Sequence, residues 1–405
     1  MNKSEQLVYE LCTKSFLSLW SYPTPQGKNK SKELCDILVV CNPDIIIFSV
    51  KEIAFKDTGR PKIDFDRWHR EAVDASCGQI YGAERWIKSN PNVKTESGEI
   101  GLPFPKPPNR RIHRIAVALG SQGKSPFYFG DFGKGFIHVL DERSLDVLMT
   151  ELDTISDFVK YLTDKENFYR SGKMVLFTGG EEDLLAFYLS QNRTFPDEVD
   201  TLVLEDDLWS RFSKDPQVLA KKQLDAVSYV WDKIIEEVYQ SYVNSELVTT
   251  SPFTTGKLTD LENALRAMAR ENRFARRNLS ENFVEFLRDN KDKKTRARLC
   301  QSSMSEILYV FLVSSYDIDR KYNIAELYGR CIVARGLFQE KSVVVGICAE
   351  FSKVQKGSAT TLCYLNIQEW TNEWQEKMNF LQNELEYFKG EGKRRQGELE
   401  YPQIN

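Results

Sequence analysis

Histidine is scarce in this chain. Only His69, His113 and His138 occur among 405 residues, which argues against a histidine-rich metal centre; His69, the one nearest the site developed below, reads as a structural residue. The eight cysteines, at positions 12, 35, 41, 77, 300, 331, 348 and 363, include no Cys-x-x-Cys pair. Lying mostly in apolar segments, they read as buried free thiols and not as zinc ligands or disulfides. No apolar run approaches the roughly 18 residues a membrane span needs, and Met1-Asn2-Lys3-Ser4-Glu5 has no signal-peptide pattern. The expectation is a cytoplasmic protein with no membrane partner. A basic excess is also missing: 55 Lys and Arg stand against 59 Asp and Glu, a net charge of −4, so any nucleic-acid contact must come from local charge. Composition is otherwise that of a soluble globular protein, long enough for two or three domains with their own cores.

What the chain does have is two short, β-branched-rich runs joined by a turn signal. Cys35-Asp36-Ile37-Leu38-Val39-Val40 leads into Cys41-Asn42-Pro43-Asp44 and then Ile45-Ile46-Ile47-Phe48-Ser49-Val50-Lys51-Glu52, a pattern that predicts a buried β-hairpin. Side chains alternate along a strand, so Ser49 and Lys51 share one face, and Asp36 on the partner strand can sit beside it. Lysine and aspartate are costly at a sheet core unless they pair or bind an ion. A carboxylate holding a hard cation beside an ammonium suits phosphodiester hydrolysis: the metal offsets developing negative charge and the lysine positions or deprotonates the attacking water.

Further polar groups flank the hairpin. Ser4 to Trp20 is compatible with an amphipathic helix carrying Glu10, and Phe65 to Ile87 predicts a second helix carrying Gln79. In this order of helix, acidic strand, lysine strand and glutamine-bearing helix, the first third of the chain resembles the PD-(D/E)xK nuclease superfamily, whose restriction-endonuclease-like core runs helix, three strands, helix, strand. The resemblance implies that Glu10 is the helix-borne acid, Asp36 the metal-binding aspartate, Lys51 the lysine and Gln79 the glutamine of some exonuclease branches. Glu10 and Asp36 would then hold Mg²⁺ or Mn²⁺.

One position departs from that pattern. Two residues before Lys51, where the family has Glu or Asp, stands Ser49. Three explanations stay open: Ser49 assists through water, Glu52 or Asp44 takes over, or the site is inactive. Glu52 would point to the opposite face of a regular strand. The structural alternative is a weak exposed ion pair between Asp36 and Lys51.

Downstream, a Pro-rich connector spans Asn90 to Arg111, and a strand from Ile112 to Leu119 resumes the sheet. Ala118 to Ser125 mimics a phosphate-binding loop, but its first glycine is Ala118, Pro126 follows the serine, and no helix pattern comes next. A glycine-rich hairpin loop fits better. Leu145 to Leu162 and Gln217 to Asn244 have helical spacing, and Thr259-Asp260-Leu261-Glu262 is a capping-box signal. Arg266, Arg270, Arg273 and Arg277 recur at helical intervals, with Lys291, Lys293, Lys294, Arg296 and Arg298 beyond. A solvated face and a DNA-backbone contact are the two readings of that stripe. Four strand-like runs follow, Ile307 to Val313, Cys331 to Ala334, Val343 to Glu350 and Thr361 to Leu365, then a helix from Trp370 to Phe388.

The expected architecture is an α/β chain: a restriction-endonuclease-like mixed sheet flanked by helices over residues 1–200, a mainly helical region over 201–300, and a second α/β domain over 301–405. The expected activity is metal-dependent hydrolysis of phosphodiester bonds in DNA, in bacterial defence against foreign DNA. With no nucleotide-hydrolysis motif, a separate ATPase or defence-system protein is the expected partner, and a homodimer would suit double-strand cutting. The alternative is a catalytically inactive nucleic-acid-binding or assembly subunit of the same fold.

Overall fold

The computed structural model describes residues 1–28, 33–123, 129–176, 179–244, 258–290, 295–315, 320–351, 358–389 and 399–403. They form a mixed α/β protein that divides into two units, Met1–Leu219 and Ala220–Asn405.

In the first unit the elements run α1 (Lys3–Phe16), β1 (Ser21–Pro23), β2 (Ile37–Cys41), β3 (Asp44–Glu52), α2 (Pro61–His69), a π turn (Arg70–Asp74), α3 (Ala75–Ser89), β4 (Asn92–Lys94), β5 (Ile100–Pro103) and β6 (Arg111–Leu119). β7 (Phe129–Asp131), β8 (Phe136–Leu140), α4 (Glu142–Glu151), α5 (Ile155–Arg170), β9 (Met174–Leu176), α6 (Glu181–Ser190), β10 (Thr201–Val203), α7 (Leu208–Phe212) and α8 (Pro216–Asp225) follow, the last crossing into the second unit. The main sheet has the order β1-β2-β3-β6-β8-β7. β2 and β3 form the antiparallel hairpin, with Ile37 opposite Phe48 and Cys41 opposite Asp44. β3 then pairs in parallel with β6, and β6 with β8, the crossover from β3 to β6 running through α2 and α3.

The unbroken apolar run of β3 follows from its central place. Every residue from Asp44 to Val50 is buried, because helices cover both faces of a strand with partners on both edges. Leu38, Val40, Ile45, Ile47, Ala116 and Ala118 pack with Trp68, Cys77, Ile80 and Ile87 of α2 and α3. Each of the buried leucine, valine and isoleucine side chains contributes roughly 1.5–3 kcal/mol. α1 packs on the same hairpin, and the Ser15 hydroxyl donates to the Met149 carbonyl of α4 (3.0 Å).

The second unit holds α9 (Tyr229–Val243), α10 (Leu258–Ala269), α11 (Arg273–Asn290), β11 (Thr295–Gln301), β12 (Ile307–Ser315), α12 (Arg320–Leu337), β13 (Val343–Phe351), β14 (Ser358–Asn366) and α13 (Asn372–Glu384). Its sheet has the order β11-β12-β13-β14, with β12 parallel to β13 and the outer pairs antiparallel. Trp231 of α9 and Phe283 of α11 meet Phe311, while α12 and α13 cover the other face through Leu327, Cys331 and Met378. The helices of residues 229–290 thus pack on this sheet. Cys331 to Ala334, expected as a strand, lies inside α12. Its four residues are all 0% exposed, and a short continuous apolar run does not distinguish a buried strand from a buried helix turn. α10 is already helical at Leu258, so Thr259 sits within it and not at its cap.

One buried group gives the first unit a pH dependence. His138 of β8 is 1% exposed, and neither ring nitrogen finds a hydrogen-bond partner among the described residues. Burial, and then Lys165, His113 and Arg114, hold its pKa well below 6.5. Lys165 is itself buried and paired with Glu181, which also accepts from the Tyr161 hydroxyl. His138 therefore stays neutral in the fold, whereas the unfolded chain takes up a proton as pH falls below 6.5. Its contribution is flat above that pH and destabilising below it, by up to about 1.4 kcal/mol per pH unit. His138→Leu is expected to shrink the stability loss between pH 7 and pH 5 in urea unfolding; an unchanged pH dependence would contradict this.

Candidate active site

Asp36 stands one residue before β2, and its N–H donates to the Phe48 carbonyl (3.2 Å), so it faces Ser49 across the hairpin. Its side chain is tethered twice. The Val50 N–H donates to Oδ2 (2.5 Å) and the Gln79 Nε2 amide to Oδ1 (3.1 Å). A carboxylate only accepts, so Gln79 must turn its NH₂ to Asp36, which leaves its carbonyl for the Ser49 hydroxyl, donating at 2.6 Å. Lys51 Nζ lies 4.0 Å from Asp36 Oδ2. Strand alternation, with Gln79 reaching down from α3, therefore brings Asp36, Ser49, Lys51 and Gln79 into one network.

The network lies at the carboxyl ends of the parallel strands β3 and β6, where open α/β sheets place ligand crevices. Asp36 is 2% and Ser49 0% exposed, while about a third of the Lys51 side chain, 32%, meets solvent. The cluster opens to solvent along the lysine. Burial raises the Asp36 pKa; the Val50 N–H, Lys51 and Gln79 oppose the rise, and Glu5 adds to it. A group whose charged form is this costly gains from a cation.

Glu10 is not part of the network. It is exposed on α1 and its carboxylate accepts from Gln6 Nε2 (2.8 Å). The Ser4 hydroxyl donates to Glu52, which docks the first turn of α1 over the end of β3 and puts Glu10 about 7.5 Å further along the helix axis than Glu5. Glu5 is the α1 acid whose charge reaches Asp36; it also closes a capping box with Asn2. Glu33, overlooked in the sequence, is the other nearby acid. It bridges to Gln26 and is exposed as a residue; partial desolvation of its carboxyl, then the Asp36 and Glu5 charges, push its pKa up to about 7, against lowering from the amino terminus and Lys51. The signal was available: Glu33-Leu34-Cys35-Asp36 carries an acid three residues before the aspartate.

Neither substitute for the missing acid at Ser49 joins the network. Asp44 lies at the far end of the hairpin, held by Arg111 and His113, each at 2.8 Å. Glu52 turns to α1. His69 packs beside Phe65 and Asp74 as a structural residue.

The four arginines do not form one exposed stripe. The helix breaks between α10 and α11, and Arg273 and Arg277 turn inward. Arg273 and Arg277 are 3% and 0% exposed, bound to Asp232 and Asp225, and Arg277 also donates to the Leu399 and Glu400 carbonyls. Arg266 pairs with Glu262, and Arg270 sits half-buried in the turn. Arg276, absent from the expected stripe, is buried against the other Asp232 oxygen. Lys291, Lys293 and Lys294 lie outside the described residues, as do Lys124 and Ser125 of the loop after β6. At the start of that loop the Gly120 N–H donates to Glu142 (2.6 Å), a carboxylate where a phosphate cradle would need an empty donor.

Among the described residues no three His, Cys, Asp or Glu side chains are placed as a metal-ligand group. The donors that are present, the carboxylates of Asp36, Glu33 and Glu5, are hard oxygens of the kind Mg²⁺ and Mn²⁺ prefer. Mg²⁺ typically keeps several waters and takes only one or two carboxylates. In character, though not in number, the set fits such an ion. No family model, no curated protein and no solved structure matches the chain.

Two substitutions separate the cost of the Asp36 charge from the bonds it makes. Asp36→Asn keeps an acceptor for Val50 N–H and lets the Gln79 amide reverse, with Ser49 accepting; it is expected to leave the melting temperature equal or higher at pH 7. Asp36→Ala orphans the buried Val50 N–H and should cost about 1–3 kcal/mol. Thermal unfolding that ranks the asparagine variant below the alanine variant would refute this assignment.

Proposed function

We propose that the chain is a metal-dependent phosphodiester hydrolase acting on DNA, with Asp36 and Lys51 at its reacting centre and Mg²⁺ or Mn²⁺ as its metal, in the manner of the PD-(D/E)xK nucleases its hairpin resembles. The observation that carries this reading is the convergence of Asp36, Ser49, Lys51 and Gln79 at the solvent-opening end of two parallel strands. Asp36 would hold the ion with Glu33 or Glu5, the role first expected of Glu10. When bound, the ion would supply charge neutralisation at the phosphate and acidify a bound water. Lys51 Nζ, beside Asp36 and reachable from solvent, would orient the attacking water and take up its proton. Gln79 fixes the carboxylate rotamer, and Ser49 fixes Gln79, so both act as positioning residues. Defence against foreign DNA, with a separate ATPase or a second copy as partner, is the setting this reading suggests.

A second reading has its own support. Ser49 spends its hydroxyl on Gln79, both Asp36 oxygens are already bonded, and among the described residues no group of three ligands forms. These features suit an inactive nucleic-acid-binding subunit of the same fold.

Incubation of supercoiled, linear and single-stranded DNA, and of RNA, with Mg²⁺ or Mn²⁺ separates the two. Cutting of DNA by the native protein, reduced at least ~100-fold in Asp36→Asn and Lys51→Ala, is the expected result. Binding without cutting would support the inactive subunit, and cutting that survives both substitutions would remove the site.

A further inference from the structure

The second unit repeats the local plan of the first. In the first, α1 packs on an antiparallel hairpin, β2–β3, and a crossover through α3 leads to a strand, β6, parallel to β3. In the second, α11 packs on the antiparallel pair β11–β12, and a crossover through α12 leads to β13, parallel to β12. The repetition extends to side chains. Ser49 donates to the carboxamide oxygen of Gln79 on the first crossover helix; Ser314, near the end of β12, donates to the carboxamide oxygen of Asn323 on the second (2.5 Å). Across the antiparallel partner, Asp36 faces Ser49 and Thr295 faces Ser314.

The charges differ. Thr295 replaces the aspartate, and the neighbouring parallel strand offers Glu350, the register partner of Ser314, where the first unit has Ala116 beside Ser49. Glu350 is 5% exposed and accepts from the Thr361 hydroxyl (3.0 Å). No lysine, arginine or histidine among the described residues forms an ion pair with it. Asn323 is 2% exposed, and its Nδ2 has no hydrogen-bond partner. A buried carboxylate with no ion-pair partner among the described residues and an unsatisfied buried amide are each costly. A cation beside Glu350 would offset the first cost, and reversing the Asn323 amide would give its NH₂ an acceptor in Ser314 Oγ and leave its carbonyl for that cation.

We infer that the second unit uses this frame to bind a hard divalent cation, held by Glu350 with the hydroxyls of Ser314 and Thr361 and the carboxamide of Asn323. All four groups supply oxygen, the donor set that Mg²⁺, Mn²⁺ and Ca²⁺ prefer. The Asn323 amide serves equally well reversed, its NH₂ donating to Ser314 Oγ and its carbonyl turned to the ion. One carboxylate among neutral oxygens gives a weak site, with a dissociation constant on the order of 10⁻⁴–10⁻³ M.

The inference is independent of the hydrolase reading, and its test is made in a chain carrying Asp36→Asn so that the first unit's carboxylate does not contribute. Mn²⁺ is titrated into the full-length protein and free Mn²⁺ is followed by electron paramagnetic resonance. One equivalent is expected to bind; adding Glu350→Gln should weaken it at least tenfold, and Asn323→Asp, which adds a charged oxygen in the same shape, should tighten it. Circular dichroism without metal reports whether each variant is folded. Absence of any bound equivalent below about 10 mM, affinity unchanged by Glu350→Gln, or weakening by Asn323→Asp in a folded protein would each overturn the inference.

Discussion

The first unit depends on how one buried carboxylate is kept at the end of a sheet whose central strands are largely apolar. Asp36 has lost water, so its charge must be balanced locally, and the bonds that do this come from elements that the fold has to align. β3 supplies the Val50 N–H and Lys51, and the crossover helix supplies Gln79. The register of the hairpin, the parallel pairing of β3 with β6 and the rotation of α3 are therefore all tied to one side chain. A one-residue slip of β2 against β3 would send Asp36 to the opposite face and leave the Val50 N–H without its acceptor.

Such an arrangement costs stability. A carboxylate whose pKa burial has raised, with acids at Glu5 and Glu33 adding like charge, is a poor device for holding a protein together, and a neutral isostere would serve better. Strain of this electrostatic kind is characteristic of sites arranged for a task. The paired arginines of the second unit show the contrast: Arg273 and Arg276 share Asp232, and Arg277 meets Asp225 and two carbonyls. In that cluster each of the three arginines has a counter-charge, and the role is structural.

What could be read in the sequence was what depends on local pattern. Two β-branched runs around Asn42-Pro43 specify the hairpin, period-two alternation puts Ser49 and Lys51 on one face, and a helix after the hairpin brings Gln79 within reach. What could not be read depends on docking between distant elements. Glu10 and Glu5 are equally good helical acids, and only the contact of Ser4 with Glu52 decides which turn of α1 overlies the strand end. The arginines recur at helical intervals, but the sequence does not reveal that the helix breaks after Ala269 or that Asp225 and Asp232, some forty to fifty residues upstream, face them. Cys331 to Ala334 is apolar enough for either kind of element, and burial inside α12 decided it.

The central physical claim is that Asp36 and Gln79 act as one unit, joined to Ser49 and Lys51, and not as neighbours that happen to touch. A double-mutant cycle of unfolding free energies for Asp36→Ala and Gln79→Ala measures this directly. A coupling of roughly 0.5–3 kcal/mol is expected for side chains in one network. Additivity within about 0.3–0.5 kcal/mol would mean that the two are independent and that the site as described does not exist.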